Sequence, residues 1–69
     1  MKIGDRIRIV MYSNRNSIFM LAGTNNRIVL IDLISGCRWH KAIPVKDMFD
    51  ITEAEMNVAL HTYKYEKIT

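Results

Sequence analysis

Residues 6 to 11 alternate, with Ile7, Ile9 and Met11 on one side and Arg6 and Arg8 on the other. That period of two is the mark of a half-buried strand, and it predicts a first strand over residues 5–12. Ser13-Asn14-Arg15-Asn16-Ser17 is dense in turn-forming residues, so a second strand is expected at Ile18-Phe19-Met20-Leu21-Ala22. Gly23-Thr24-Asn25-Asn26 follows, and asparagine and glycine tolerate positive φ. The chain should therefore fold back into a third strand over residues 28–33. Ser35-Gly36 marks a second tight turn. A fourth strand over 37–41 then sets Cys37 and Trp39 on one face, the core side, and Arg38 and His40 on the other.

The periodicity changes after Pro44, the single proline. Thr52-Glu53-Ala54-Glu55 is a capping box, and Ile51 with Met56 occupy the positions of a hydrophobic staple. A helix should start there, carrying the stripe Met56, Ala59, Leu60 and Tyr63 and ending near residues 61–64. The tail from Tyr63 to Ile68 fits either a longer helix or a closing strand.

The second and third strands are apolar on both faces, whereas an antiparallel sheet with one wet face alternates cleanly. Two arrangements cover that second face: self-association of the chain, or closure into a barrel with the helix at one opening. The fold class is therefore mainly β, a small SH3-like barrel or a bent antiparallel sheet of four to five strands with one C-terminal helix. At 69 residues with no repeats or linkers, residues 1–69 form one domain, expected to associate with itself.

Two compositional facts narrow the setting. The longest apolar runs, Ile18 to Ala22 and Ile28 to Ile31, fall far short of the ~20 residues of a membrane-spanning helix. Charged Asp5, Arg6 and Arg8 follow the start at once, unlike a secretory signal, so the expected location is the cytoplasm. Cys37 is the one cysteine, which leaves stability to packing and partners rather than to a disulfide within the chain.

The net charge of +3 hides an asymmetry. Residues 1–46 hold eight bases against Asp5 and Asp32, a balance of +6, and the remainder holds two bases against five acids, a balance of −3. Most of the N-terminal bases are arginines, whose planar fork suits phosphate and carboxylate. With the first and fourth strands close together, Arg6, Arg8, Arg38 and His40 would share a face bordered by Tyr12 or Trp39. Arginine grips phosphate bidentately and an aromatic ring stacks on a base, so these six residues are the candidate ligand-binding set. The competing reading makes Arg6 and Arg8 a solvated sheet face and Trp39 part of the core.

Other constellations are poorer. Cys37, His40 and His61 are too few for a structural zinc site. Cys37 and His40, three apart on a strand, point to opposite faces and cannot act as nucleophile and base. The acids from Asp47 to Glu55 suit a helix start, and there is no glycine-rich phosphate loop. The chain is read as non-catalytic, with neither cofactor nor metal.

Several of these segments carry a family resemblance. Gly4-Asp5-Arg6 leading a strand, Phe19-Met20-Leu21-Ala22, the hairpin Val29-Leu30-Ile31-Asp32-Leu33 with Ser35-Gly36 and Arg38-Trp39, then Val45 and Ile51-Thr52-Glu53 resemble a family of short phage and prophage proteins. The likeness spans about residues 3–55, and Asp32 and Cys37 stand where that pattern carries asparagine. It implies an SH3-like barrel and a viral accessory protein that counters host antiviral defence, by sequestering a nucleotide-derived immune signal or by blocking a defence protein. In the protein-blocking case the apolar faces of strands two and three would be the contact surface. A nucleic-acid-binding accessory or regulatory role is the alternative. Against it stand the acidic C-terminal part and the lack of a basic recognition helix.

Overall fold

The computed structural model describes residues 1–10, 17–61 and 63–68, and for His40 the backbone alone. Among the described residues five strands and one helix follow in the order β1 (Arg6–Ile9), β2 (Phe19–Ala22), β3 (Arg27–Asp32), β4 (Arg38–Pro44), α1 (Glu53–Leu60) and β5 (Tyr65–Lys67). All strand pairs are antiparallel in one sheet of order β4-β3-β2-β1-β5. β4 and β5 are its two edges, so the sheet is open and bent, and among the described residues its hydrogen bonds do not close a barrel. The expected mainly β fold with one helix is the one formed. The tail, left open between helix and strand, is a strand.

The first four strands make a meander, and the β2–β3 and β3–β4 connections are short and chemically suited to reversal. At the β2–β3 turn Asn25 and Asn26 both take φ 56°, and the Arg27 N–H donates to the Thr24 carbonyl at 3.1 Å. Two successive positive φ values match the right-handed twist of a hairpin. Gly23, at φ 142°, stands just before the turn, where a Cβ would lie 2.0 Å from the Arg27 carbonyl oxygen. At the β3–β4 turn the Asp32 carboxylate accepts from the N–H groups of Ile34 (2.8 Å) and Ser35 (3.3 Å). Along β4 the register shifts between the Ile28–Ile43 and Leu30–Trp39 pairs, a bulge of the kind that bends a strand.

The capping box forms as the sequence predicts: the Glu55 N–H donates to Thr52 Oγ1 at 3.2 Å and the Thr52 N–H to Glu55 Oε1 at 2.9 Å. Ile51 and Met56 are both buried in the core, as a staple requires. The helix ends earlier than its apolar stripe suggested. It stops at Leu60, and His61 turns the chain at φ 58°. Tyr63 therefore lies beyond the helix, and residues 65–67 run back along the far side of β1, pairing Ile7 with Lys67, Arg8 with Glu66 and Ile9 with Tyr65.

One side chain in two along β1, β2 and β3 enters the core. Ile7, Phe19, Leu21, Ile28 and Leu30 from the sheet meet Met56 and Leu60 from α1, all essentially without solvent contact. Before α1, the stretch carrying Met48 and Ile51 is tied to the chain start. The Ile51 N–H donates to the Met1 carbonyl (2.6 Å), the Met1 amino group to the Ile51 carbonyl (3.0 Å), and the Ile3 N–H to the Met48 carbonyl (3.0 Å).

Asp5 is the buried acid of the fold, only 6% exposed. Its carboxylate accepts from the Lys2 N–H at 3.0 Å and faces Lys67 Nζ at 3.7 Å. The backbone hydrogen bond, helped by the nearby lysines, holds the carboxyl below the usual aspartate range. A depressed folded-state pKa stabilises the protein above the unfolded value and loses that contribution as pH falls through the folded one. Acid titration of thermal stability should show wild-type Tm falling below about pH 4, and Asp5→Asn should lower Tm at pH 7 while flattening that acid limb. A second variant tests the turn. Gly23→Ala should cost roughly 3 kcal/mol in urea unfolding, since it adds both a clash with backbone and a disfavoured φ.

Candidate binding face

The strand register assembles the site on the sheet's outer side, away from α1. Directly paired residues share a face, so the pairs Arg6–Met20, Met20–Ile31 and Ile31–Arg38 join into one row across β1, β2, β3 and β4. Two half-buried apolar side chains, Met20 and Ile31, stand between an exposed arginine at either end. Ala22 and Val29, paired with each other and also half-buried, extend the apolar strip along the strands. Beside the row, Arg8 donates to Glu66 Oε2 at 2.8 Å across the β1–β5 pair. Leu33 and Ile34, the latter 71% exposed, project from the β3–β4 turn near the Arg38 end.

The six candidate residues do not converge. Arg6, Arg8 and Arg38 share the outer face, but the first and fourth strands are separated by the second and third. Three strand spacings of about 4.8 Å put Arg6 and Arg38 about 14 Å apart along the row. The assumed closeness of those strands is thus corrected by the strand order. Trp39 sits on the opposite, inner face, paired with Leu30. Its indole packs edge-to-face between Phe19 and Tyr63, both ring centroids lying 5.6 Å away. Alternation had set Trp39 on the core side, and there it stays. Tyr12 and the side chain of His40 lie outside the described residues.

A second concavity went unread in the sequence. Glu53 and Asn57 on one flank of α1, with His61 just past its end, face Tyr63, Lys64 and Tyr65 across an open groove of about 720 Å³. The Tyr65 hydroxyl donates to Glu53 Oε2 at 2.7 Å. Burial and the adjacent Glu53 carboxylate push the Tyr65 phenol up to about 12. The groove exists because the chain reverses at His61, and no glycine announces that reversal. The usable signals were the spacing of Glu53 and Asn57 on one helix face and the alternation of Tyr63 and Tyr65.

No known family model, curated protein or solved structure matches the chain. Among the described residues no helix is long and apolar enough to cross a membrane.

The tyrosine supplies a measurable consequence. A phenol whose pKa is raised on folding stabilises fully below its unfolded value near 10 and loses that stabilisation as pH climbs toward 12. Ultraviolet titration of phenolate absorbance should show one tyrosine ionising about two units late. Tyr65→Phe should remove that component and weaken the alkaline decline in Tm, whereas an unchanged titration would show that Tyr65 is not the late group.

Proposed function

We propose that this chain is a non-catalytic binding protein that counters bacterial antiviral defence by covering a defence protein with the outer face of its sheet, in the host cytoplasm. The observation that carries the reading is the row Arg6–Met20–Ile31–Arg38. An apolar centre with cations at the rim is the usual anatomy of a protein-binding patch, and arginine is among the residues that contribute most at such patches. The apolar strip has no role in the core of this chain, which lies on the other side of the same strands. The viral part of the reading comes from the resemblance of residues 3–55 to short phage proteins. Its fit to a protein target comes from charge: exposed arginines select a surface with acidic groups around an apolar centre.

Sequestration of a nucleotide-derived signal is the second reading, and the groove favours it. Tyr63 offers a ring and Lys64 a cation on one wall, with Glu53 and Asn57 opposite as partners for hydroxyl or amino groups. A nucleic-acid role has less support, because an apolar strip between two arginines about 14 Å apart is not a continuous phosphate track.

The test is plating efficiency of a defence-sensitive phage on a panel of bacterial strains, each carrying one defence system. Wild-type protein should restore plaques on at least one strain. The double variant Ile31→Glu/Arg38→Glu, matched for expression and folded by circular dichroism, should lose most of that rescue, since removing central contacts costs ~2 kcal/mol or ~30-fold in affinity. Rescue undiminished in the double variant, or none by wild type, would overturn the reading. Native mass spectrometry with cyclic and adenosine-diphosphate-ribose-type nucleotides separates the second reading, which requires bound ligand masses that Tyr63→Ala abolishes.

A further inference from the structure

Phe49 is 79% exposed, more than any other large apolar side chain among the described residues. A lone exposed phenylalanine on a mobile loop would mean little, but this one is held in place. Its N–H donates to Asp47 Oδ1 at 2.8 Å, and the Asp50 N–H donates to the Asp47 carbonyl at 3.2 Å, closing a turn over residues 47–50. The flanks are fixed as well. The Met48 carbonyl takes the Ile3 N–H, the Met48 sulfur takes the Asn26 N–H at 3.2 Å, and Met48 packs against the core. Fixing Met48 inward leaves the Phe49 ring outward, with a carboxylate on either side of it in the chain. A turn whose backbone is already fixed before contact loses less entropy on docking than a loose loop would.

The outer face of the sheet has the opposite polarity, with its two charges set wider apart on long side chains that can lean inward. Asp47 and Asp50 bracket Phe49, and Arg6 and Arg38 bracket Met20 and Ile31. Two outer faces cannot meet each other, because arginine would oppose arginine. A turn from one copy against the sheet of the next sets acid against base and ring against aliphatic. We propose that copies of this chain associate head to tail, the Asp47–Asp50 turn of one seating Phe49 on the Met20–Ile31 strip of its neighbour while its carboxylates pair with the arginines at the rim. The contact is heterologous: donor turn and acceptor face are different parts of the molecule. Such a patch is small, below ~1,200 Å², so association is weak and rises with concentration through the upper micromolar range.

The inference uses the geometry of the outer face but not its viral role, so the plating assay and the following one fail independently. Sedimentation velocity over a concentration series should show wild-type mass rising above that of one chain. Arg38→Asp, which spoils only the acceptor, and Phe49→Ser, which spoils only the donor, should each stay monomeric. Both positions are exposed, so each variant should fold, which circular dichroism checks before the comparison. Mixing the two variants is decisive. The intact turn of the first meets the intact face of the second, and neither product can extend, so the mixture should form a 1:1 dimer and nothing larger. A monomeric wild type at all concentrations, variants that associate like wild type, or a mixture that stays monomeric would each overturn the proposal.

Discussion

The pairing of β5 with the far side of β1 governs this fold. A meander of four strands needs only local turns, but β5 must leave the β4 edge, cross the whole sheet and rejoin it beyond β1. That crossing is made by α1, which is why the helix lies over one face and why Met56 and Leu60 bury there. It joins residues almost sixty apart in sequence, so the closure entropy is large and must be offset at the point of contact. The offset is visible. Three paired residues are supplemented by the Val10 N–H to Lys64 carbonyl and Ile68 N–H to Arg6 carbonyl bonds, both 2.8 Å, by Lys67 beside buried Asp5, and by the exposed Arg8–Glu66 pair. Being exposed, that last pair contributes little by itself and serves more to orient Arg8.

Once the helix is assigned to one face, the other face takes on meaning. β2 and β3 place Phe19, Leu21, Ile28 and Leu30 inward, and the residues between them, Met20, Ala22, Val29 and Ile31, outward. Solvation alone would favour polar side chains at those outward positions in a small protein. Their apolar character, together with arginines at both ends of one row, is chemistry spent on something other than the core. The charge separation along the chain has a spatial counterpart: the sheet's outer face carries four arginines, Arg6, Arg8, Arg27 and Arg38, and the turn before α1 together with the first turn of that helix carries Asp47, Asp50, Glu53 and Glu55.

What the sequence disclosed was whatever local geometry decides. The alternation in Arg6-Ile7-Arg8-Ile9, the paired asparagines 25 and 26, and the Thr52–Glu55 box each specify a conformation within a few bonds of the residues that carry it, and each formed. The inward side of Trp39 followed from the same alternation. Strand order was hidden, because a period of two says which face a residue takes but not which strand lies next to it. The arginines therefore fell on one face as read, yet not side by side. The end of α1 was misjudged for a similar reason: Tyr63 continues the helical spacing, and only the reversal at His61 removes it. The groove between α1 and β5 depends on both of these non-local facts. Phe49 was passed over because one aromatic residue in an acidic stretch has no period at all.

Strict alternation in β2 and β3 also bears on how such a protein changes over generations. Each strand position answers to one demand alone, packing inward or, on the reading proposed above, recognition outward, so the two are nearly separable under mutation. Substitutions at Met20, Ile31 or Arg38 alter what the sheet meets while leaving Phe19, Leu21 and Leu30 packed as before. A chain built this way can exchange side chains on one surface with no need to rebuild its interior at each step, which is what the proposed binding role would require of it as a target drifts.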